Sequence, residues 1–205
     1  MQLFTTRGYA VLMPDAPNHV GTPMLDLVKT VLPGVNKVIE LGIADPDRLG
    51  VMGHSNGGYG TLSLIVQTKR FKAAAMLSGE GDEVGFYGEM LEDGGAYGAF
   101  VSEHLGMMDG TPWQYRERYI ENSPFFYLDR VETPLLIAHG SADSEVAPFL
   151  SDQVFVGLRG LGKEVEYAKY VGEGHGPDAW SHPNLLDLCK RLIGWFDGHL
   201  KAVSK

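Results

Sequence analysis

Leu49-Gly50-Val51-Met52-Gly53-His54-Ser55-Asn56-Gly57-Gly58 is the stretch whose reading decides the fold. Leu49 to Gly53 is a short apolar run and reads as a buried strand. Gly58 to Lys69 reads as the helix that follows it. Between them Gly53 to Gly57 has the pattern G-x-S-x-G in the setting that pattern requires, a strand before and a helix after. A turn this sharp exposes the Ser55 side chain, and the flanking glycines let neighbouring backbone approach without a Cβ clash. The turn opens a helix, so the free N–H of Asn56 can face a developing negative oxygen.

Working outward, apolar runs keep alternating with helical patterns, which marks a parallel sheet covered by helices. Tyr9 to Met13, Phe71 to Leu77 and Leu135 to His139 read as buried strands. Val165 to Val171 alternates polar and apolar residues and reads as a strand nearer the sheet edge. Leu25, Val28, Val35, Val38 and Ile39 share a helical stripe that Pro33 is expected to divide into two helices. Ala147 to Leu161, with Pro148 in its first turn, and Asn184 to Leu200 complete the helices. Glu80 to Tyr127 breaks the alternation and is rich in Gly and aromatic residues. It reads as an insertion within one domain spanning 1–205, either a cap that contacts substrate or a surface excursion.

A serine hydroxyl attacks well only when a base takes its proton. The later part of the chain offers one. Asp143 follows the strand ending at His139-Gly140, and His175 lies in Gly172-Glu173-Gly174-His175-Gly176 just past the last strand. Ser55, Asp143 and His175 occur in the chain order of α/β-hydrolases. Imidazole would take the Ser55 proton, and the Asp143 carboxylate would orient the ring. Glu145 is a rival acid. His54 is expected to point away from the serine, and His139 to be buried and hydrogen-bonded at a strand end. His19, in an early loop, is a lesser candidate to face the site. Glu80, Asp82 and Glu83 read as a solvated acidic loop, with binding of a cation or a basic substrate group as the alternative. Cys189 reads as a core residue of the last helix.

Composition narrows the field. The 205 residues carry 17 Lys and Arg against 26 Asp and Glu, a net charge of −9, which disfavours a nucleic-acid surface. The apolar fraction of 44% suffices for a sizeable core. No run reaches the ~18 apolar residues of a membrane span. One cysteine allows no disulfide within the chain, which is compatible with a cytoplasmic location. Met1 to Gly8 does not read as a signal-peptide core, and a segment upstream stays open. Neither a phosphate-cradling loop nor Cys or His metal spacing is present, so no cofactor or metal is implied.

The stretches RGYAVLMPD (Arg7 to Asp15), GIADPDRLGVMGHSNGGYGTL (Gly42 to Leu62), SPFFYLDRVETPLLIAHGSAD (Ser123 to Asp143) and LGKEVEYAKYVGEGHG (Leu161 to Gly176) resemble the catalytic domain of the prolyl oligopeptidase family. The acylaminoacyl peptidase, dipeptidyl peptidase and glutamyl endopeptidase branches are the most similar. The resemblance implies an α/β-hydrolase fold, with the family's nucleophile, acid and base at Ser55, Asp143 and His175 and its first oxyanion donor at the Asn56 N–H. It implies hydrolysis of peptide bonds, often in short peptides, through an acyl-enzyme. A carboxylesterase or small-amide hydrolase, and an inactive fragment acting as a binding module, are the alternatives.

Family members carry further strands and a second oxyanion donor before the segment that matches Met1 to Asp15. One of those strands belongs between the strands matching Tyr9–Met13 and Leu49–Gly53. The expected explanation is that the chain is part of a longer protein; a strand from a partner chain and a degraded relative are the others. A homo-oligomer is likewise left open.

Overall fold

The structure is a computed structural model that describes residues 2–91 and 94–201. In chain order the elements are α1 (Gln2–Thr5), α2 (Pro23–Glu40), β1 (Gly50–His54), α3 (Asn56–Gln67), β2 (Ala73–Leu77), α4 (Glu83–Tyr87), α5 (Tyr97–His104), α6 (Arg116–Glu121), a 3₁₀ helix Pro124–Arg130, β3 (Leu135–Gly140), α7 (Phe149–Gly160), β4 (Val165–Tyr170), a 3₁₀ turn Pro177–Ala179 and α8 (His182–Leu200).

The four strands are all parallel and lie in the order β1-β2-β3-β4. Both central strands are buried at every residue, and their sequences, AAAML and LLIAHG, lack polar alternation because helices cover both faces. Edge strand β4 is buried only in part. Period-two alternation then divides the core. Ala74 and Met76 face α2, α3 and α7, packing with Leu27, Ile65 and Val154. Ala73, Ala75 and Leu77 face α8, packing with Leu188, Leu192, Trp195 and Phe196. Small strand residues thus meet large helix residues, and each large side chain fully buried stabilises the fold by about 1.5–3 kcal/mol. Gly50 belongs to the same arrangement, since a Cβ there would lie 2.7 Å from the Phe196 ring.

Two sequence expectations need correction. Tyr9–Met13 is not a strand, and Val11, Leu12 and Met13 are exposed. An apolar run becomes a strand only with a neighbour to bond to. No described residue fills the place between this segment and β1, so the segment runs without a ladder while Tyr9 docks on α8 through its hydroxyl to Asp197 (2.7 Å). Secondly, α2 is one continuous helix with Pro33 inside it. Pro33 and Lys29, whose carbonyl loses its partner, are both exposed, so water can serve that carbonyl. The stripe Met24, Leu27, Val31 and Val35 is buried on both sides of the proline and holds the helix together, whereas Leu25 is exposed.

Within Glu80–Tyr127, Glu92 and Asp93 lie outside the described residues. The rest forms α4, α5 and α6, with Phe86 packed on Val146 and Leu150 next to Val101. The fully buried Tyr119 receives the edge of Tyr87. Cys189 is half-buried on α8.

Candidate active site

Because the strands are parallel, the turns after β1, β2, β3 and β4 all emerge at one end of the sheet. That end is where α/β proteins place their chemistry. Ser55 sits on the turn from β1 to α3 at φ 59°, ψ −125°, a region that costs a non-glycine residue about 1–3 kcal/mol. Its N–H donates to the Leu77 carbonyl (2.9 Å), and its own carbonyl accepts from Gly58 and Tyr59, so the strained turn is tied at both ends. A Cβ on Gly53 would lie 2.0 Å from the Gly57 oxygen, and one on Gly58 would lie 2.8 Å from the Gly79 Cα. Asn56 begins α3, so its N–H belongs to the first turn, whose donors have no partner within the helix.

Asp143 follows β3, and its side chain is fully buried. Its Oδ1 accepts from the N–H groups of Glu145 (2.9 Å) and Val146 (3.0 Å). Its Oδ2 lies 2.8 Å from His175 Nδ1 and 3.0 Å from His139 Nε2. Burial works to raise the Asp143 pKa, but these hydrogen bonds, led by the two histidines, hold it well below the usual carboxylate range.

His175 follows β4, and its Nε2 lies 2.9 Å from Ser55 Oγ. With a carboxylate against Nδ1, that nitrogen carries the proton and Nε2 is left to accept from the serine hydroxyl. Burial lowers the His175 pKa, but the Asp143 hydrogen bond and charge, helped by Glu145 and Glu89, raise it above 6.5 on balance. Glu145, the rival acid, lies 3.9 Å from Nε2, on the serine side of the ring, and is half exposed. Asp143 holds the orienting position instead.

The supporting contacts include several that spacing could not reveal. His139 is fully buried, with Nδ1 2.7 Å from Ser151 Oγ. His54 does not point away: its Nε2 lies 2.8 Å from the His175 backbone oxygen, and the two rings pack with centroids 4.7 Å apart. Glu173 accepts from Ser181 and Asn184 at the start of α8 and so anchors the loop that carries His175. That loop runs tight against the one after β3, because a Cβ on Gly140 would lie 2.3 Å from the Glu173 oxygen. His19 turns aside to Asp26 and is exposed; its neighbour Asn18 faces the site instead.

A cavity of about 150 Å³ opens beside Ser55 and Asn56, walled in part by Phe86, Val101 and Leu105. Glu80 and Glu83 line it and are 6% and 3% exposed, which overturns the expectation of a solvated acidic loop. Close packing of Gly81 draws the segment inward, since a Cβ there would lie 2.7 Å from Leu62. Only Asp82 keeps an ordinary surface task, capping α4 through the Val84 N–H.

A parallel sheet helix-covered on both faces, with a serine on a strained strand-to-helix turn, defines an α/β-hydrolase. The chain belongs to the Prolyl oligopeptidase family, which matches residues 26–203. It is similar to the uncharacterized peptidase YuxL of Bacillus subtilis, 31% identical over 97% of this chain and 31% of that protein. Among solved structures, the acylaminoacyl peptidase of Pyrococcus horikoshii is 26% identical with a TM-score of 0.80, over 93% of this chain and 30% of that one. A puromycin-hydrolyzing peptidase of Mycobacterium tuberculosis is 27% identical with a TM-score of 0.75, over 86% and 26%. The chain therefore spans less than about a third of the length of these relatives. Among the described residues no helix is long and apolar enough to cross a membrane.

Proposed function

We propose that the chain carries the catalytic machinery of a serine peptidase that cleaves peptide bonds, in short peptides, through an acyl-enzyme. The observation that carries this reading is the continuous relay of Ser55 Oγ, His175 and Asp143 at 2.9 Å and 2.8 Å. Peptidase relatives of the same family support the peptide as substrate. Ser55 Oγ attacks the scissile carbonyl carbon while its proton passes to His175 Nε2. The Asn56 N–H faces the oxygen on which charge develops. Imidazolium, held by Asp143, then protonates the leaving amine, the C–N bond breaks and the acyl group stays on Ser55. Water gives a proton to His175 and its oxygen to the acyl carbon; the proton returns to Oγ as the acid leaves.

A fluorophosphonate probe tests the reading. It should label this chain at Ser55, and Ser55→Ala should lose both labelling and peptide hydrolysis. A folded chain that is not labelled, or a Ser55→Ala variant that keeps its activity, would overturn the reading. Turnover of esters without turnover of peptides would move the assignment to an esterase.

A further inference from the structure

The acids beside Ser55 have no task in the relay. Glu80 comes from the turn after β2, and Glu83 opens α4. Both line the cavity that reaches Ser55, and both are more than nine-tenths buried. Among the described residues neither carboxyl has a Lys, Arg or His within ion-pair distance. Among the described residues Glu80 accepts a hydrogen bond from its own backbone N–H. Glu83 Oε2 accepts a long one from Ser102 Oγ, at 3.4 Å. Buried carboxylates without counter-charge are costly, and two together repel each other as well. Burial and that repulsion raise Glu80 far above the carboxylate range; burial chiefly raises Glu83 to about 8.

A second feature of the same cavity points the same way. Asn18 lines it, and among the described residues Asn18 Oδ1 is buried with no hydrogen-bond donor. The ionisable carboxyls on the cavity wall are Glu80, Glu83 and Glu145, and no Lys, Arg or His stands among the described residues that line it. Their complement is a cation rich in N–H donors: an ammonium offers three and a guanidinium five. Phe86, Val101 and Leu105 supply an apolar wall for a methylene stem, the surface along which Lys and Arg side chains lie while the head finds polar partners. Among the described residues no group of three His, Cys, Asp or Glu is placed to hold a metal ion.

We infer that this cavity receives the basic side chain, Lys or Arg, of the residue whose carbonyl Ser55 attacks, with Glu80 and Glu83 as its counter-charges. The inference rests on the serine-peptidase reading and adds the substrate class. Glu80 and Glu83 are binding residues in it, not members of the relay.

The experiment compares N-acetylated aminoacyl coumarin amides of arginine, lysine, citrulline, norleucine and leucine on the wild-type chain, Glu80→Gln and Glu83→Gln. Citrulline keeps the shape of arginine without its charge. Arginine or lysine should exceed citrulline and norleucine in kcat/KM by about 10–100-fold, and each variant should collapse most of that ratio. Fluorophosphonate labelling of Ser55 in each variant reports an intact relay. Neutral residues cleaved as well as basic ones, or variants that are labelled normally and keep the ratio, would overturn the inference and leave the peptidase reading standing. A preference that follows a free N-terminal amine and disappears on acetylation would overturn it too, placing an α-ammonium in the cavity. No labelling and no turnover of any substrate would instead sink the peptidase reading and the inference with it.

Discussion

Oδ2 of Asp143 lies 3.0 Å from Nε2 of His139, and both side chains are fully buried. The same oxygen faces His175 Nδ1. His139 Nε2 faces two acceptors, this carboxylate and the Val146 carbonyl, so it carries a proton and donates. In the proposed mechanism His139 would be a positioning residue, acting on the relay through Asp143.

His139→Leu should remove that donor and leave Asp143 with fewer bonds in a dry site. The expected cost is about 2–4 kcal/mol of stability, read from urea unfolding, since a buried charged acceptor loses a partner. A purely structural role would lower stability alone. A positioning role also lowers kcat in the folded fraction with little change in KM, measured on protein titrated by active-site labelling.

The acid limb of the pH–rate profile should lie above 6.5. In the proposed mechanism His175 must be neutral at Nε2 to take the serine proton, and its pKa is raised, with the Asp143 hydrogen bond and charge as the largest raising influences. Activity is therefore full above that pKa and falls as pH drops through it. Glu145 contributes to the rise from 3.9 Å, so Glu145→Gln should move the limb to lower pH while the plateau rate stays. Asp143→Asn should cost about 10⁴ in kcat. An acid limb below 6.5 in the wild type, or one unmoved in Glu145→Gln, would show that these charges do not act on His175 as the geometry requires.

The two glycines beside the serine motif should differ sharply. Gly53→Ala would set a Cβ 2.0 Å from the Gly57 carbonyl oxygen, backbone that is held by both β1 and α3. Loss of at least about 3 kcal/mol, or failure to fold, is expected. Gly57 has nothing within 4 Å of its would-be Cβ and lies in α3. Gly57→Ala should leave stability unchanged or raise it by up to about 1 kcal/mol. Thermal melts of the two variants decide between them, and equal losses would mean the turn is not as tight as described.

The contrast between what was legible in the sequence and what was not follows one line. β2 and β3 announce themselves because strands buried on both faces must be apolar throughout, and the Ser55 turn because a tight strand-to-helix crossing needs small residues at fixed offsets. Asp143 and His175 could be picked out because each follows a strand, and parallel strands deliver their ends to one place. Tyr9–Met13 has the same composition as a buried strand, yet composition carries no information about a hydrogen-bonding neighbour. Pro33 shows the reverse: a local breaker was overridden by packing on both sides of it. Burial of Glu80 and Glu83 was not legible because acidic residues in a Gly-rich stretch look solvated until Gly81 is seen pressed against Leu62. The turn of His54 toward His175 depends on where two loops distant in sequence meet, which spacing does not encode.

The loop that carries His175 offers the last prediction. Glu173 Oε1 accepts from Ser181 Oγ at 2.5 Å and Asn184 Nδ2 at 2.6 Å, and both its oxygens accept from the Ser181 N–H at 3.1 Å. The Trp180 indole adds a bond to the Gly174 carbonyl at 2.8 Å. The loop is thus pinned at Glu173 to the start of α8 and at Gly174 to Trp180, immediately before His175. Hydrogen bonds from Ser181 and Asn184 lower the Glu173 pKa, so the anchor is charged at neutral pH. Glu173→Ala should free the loop while leaving Asp143, Ser55 and the sheet in place. Misplacing His175 by about 1 Å would cost on the order of 10²-fold in kcat, and Glu173→Asp, which keeps the charge but is one methylene shorter, should recover part of it. KM should change much less, because Glu173 is not among the residues that line the cavity beside Ser55. Steady-state kinetics of the two variants, with the melting temperature recorded alongside, decides the matter: an unchanged kcat in Glu173→Ala would show that the loop holds His175 without its anchor.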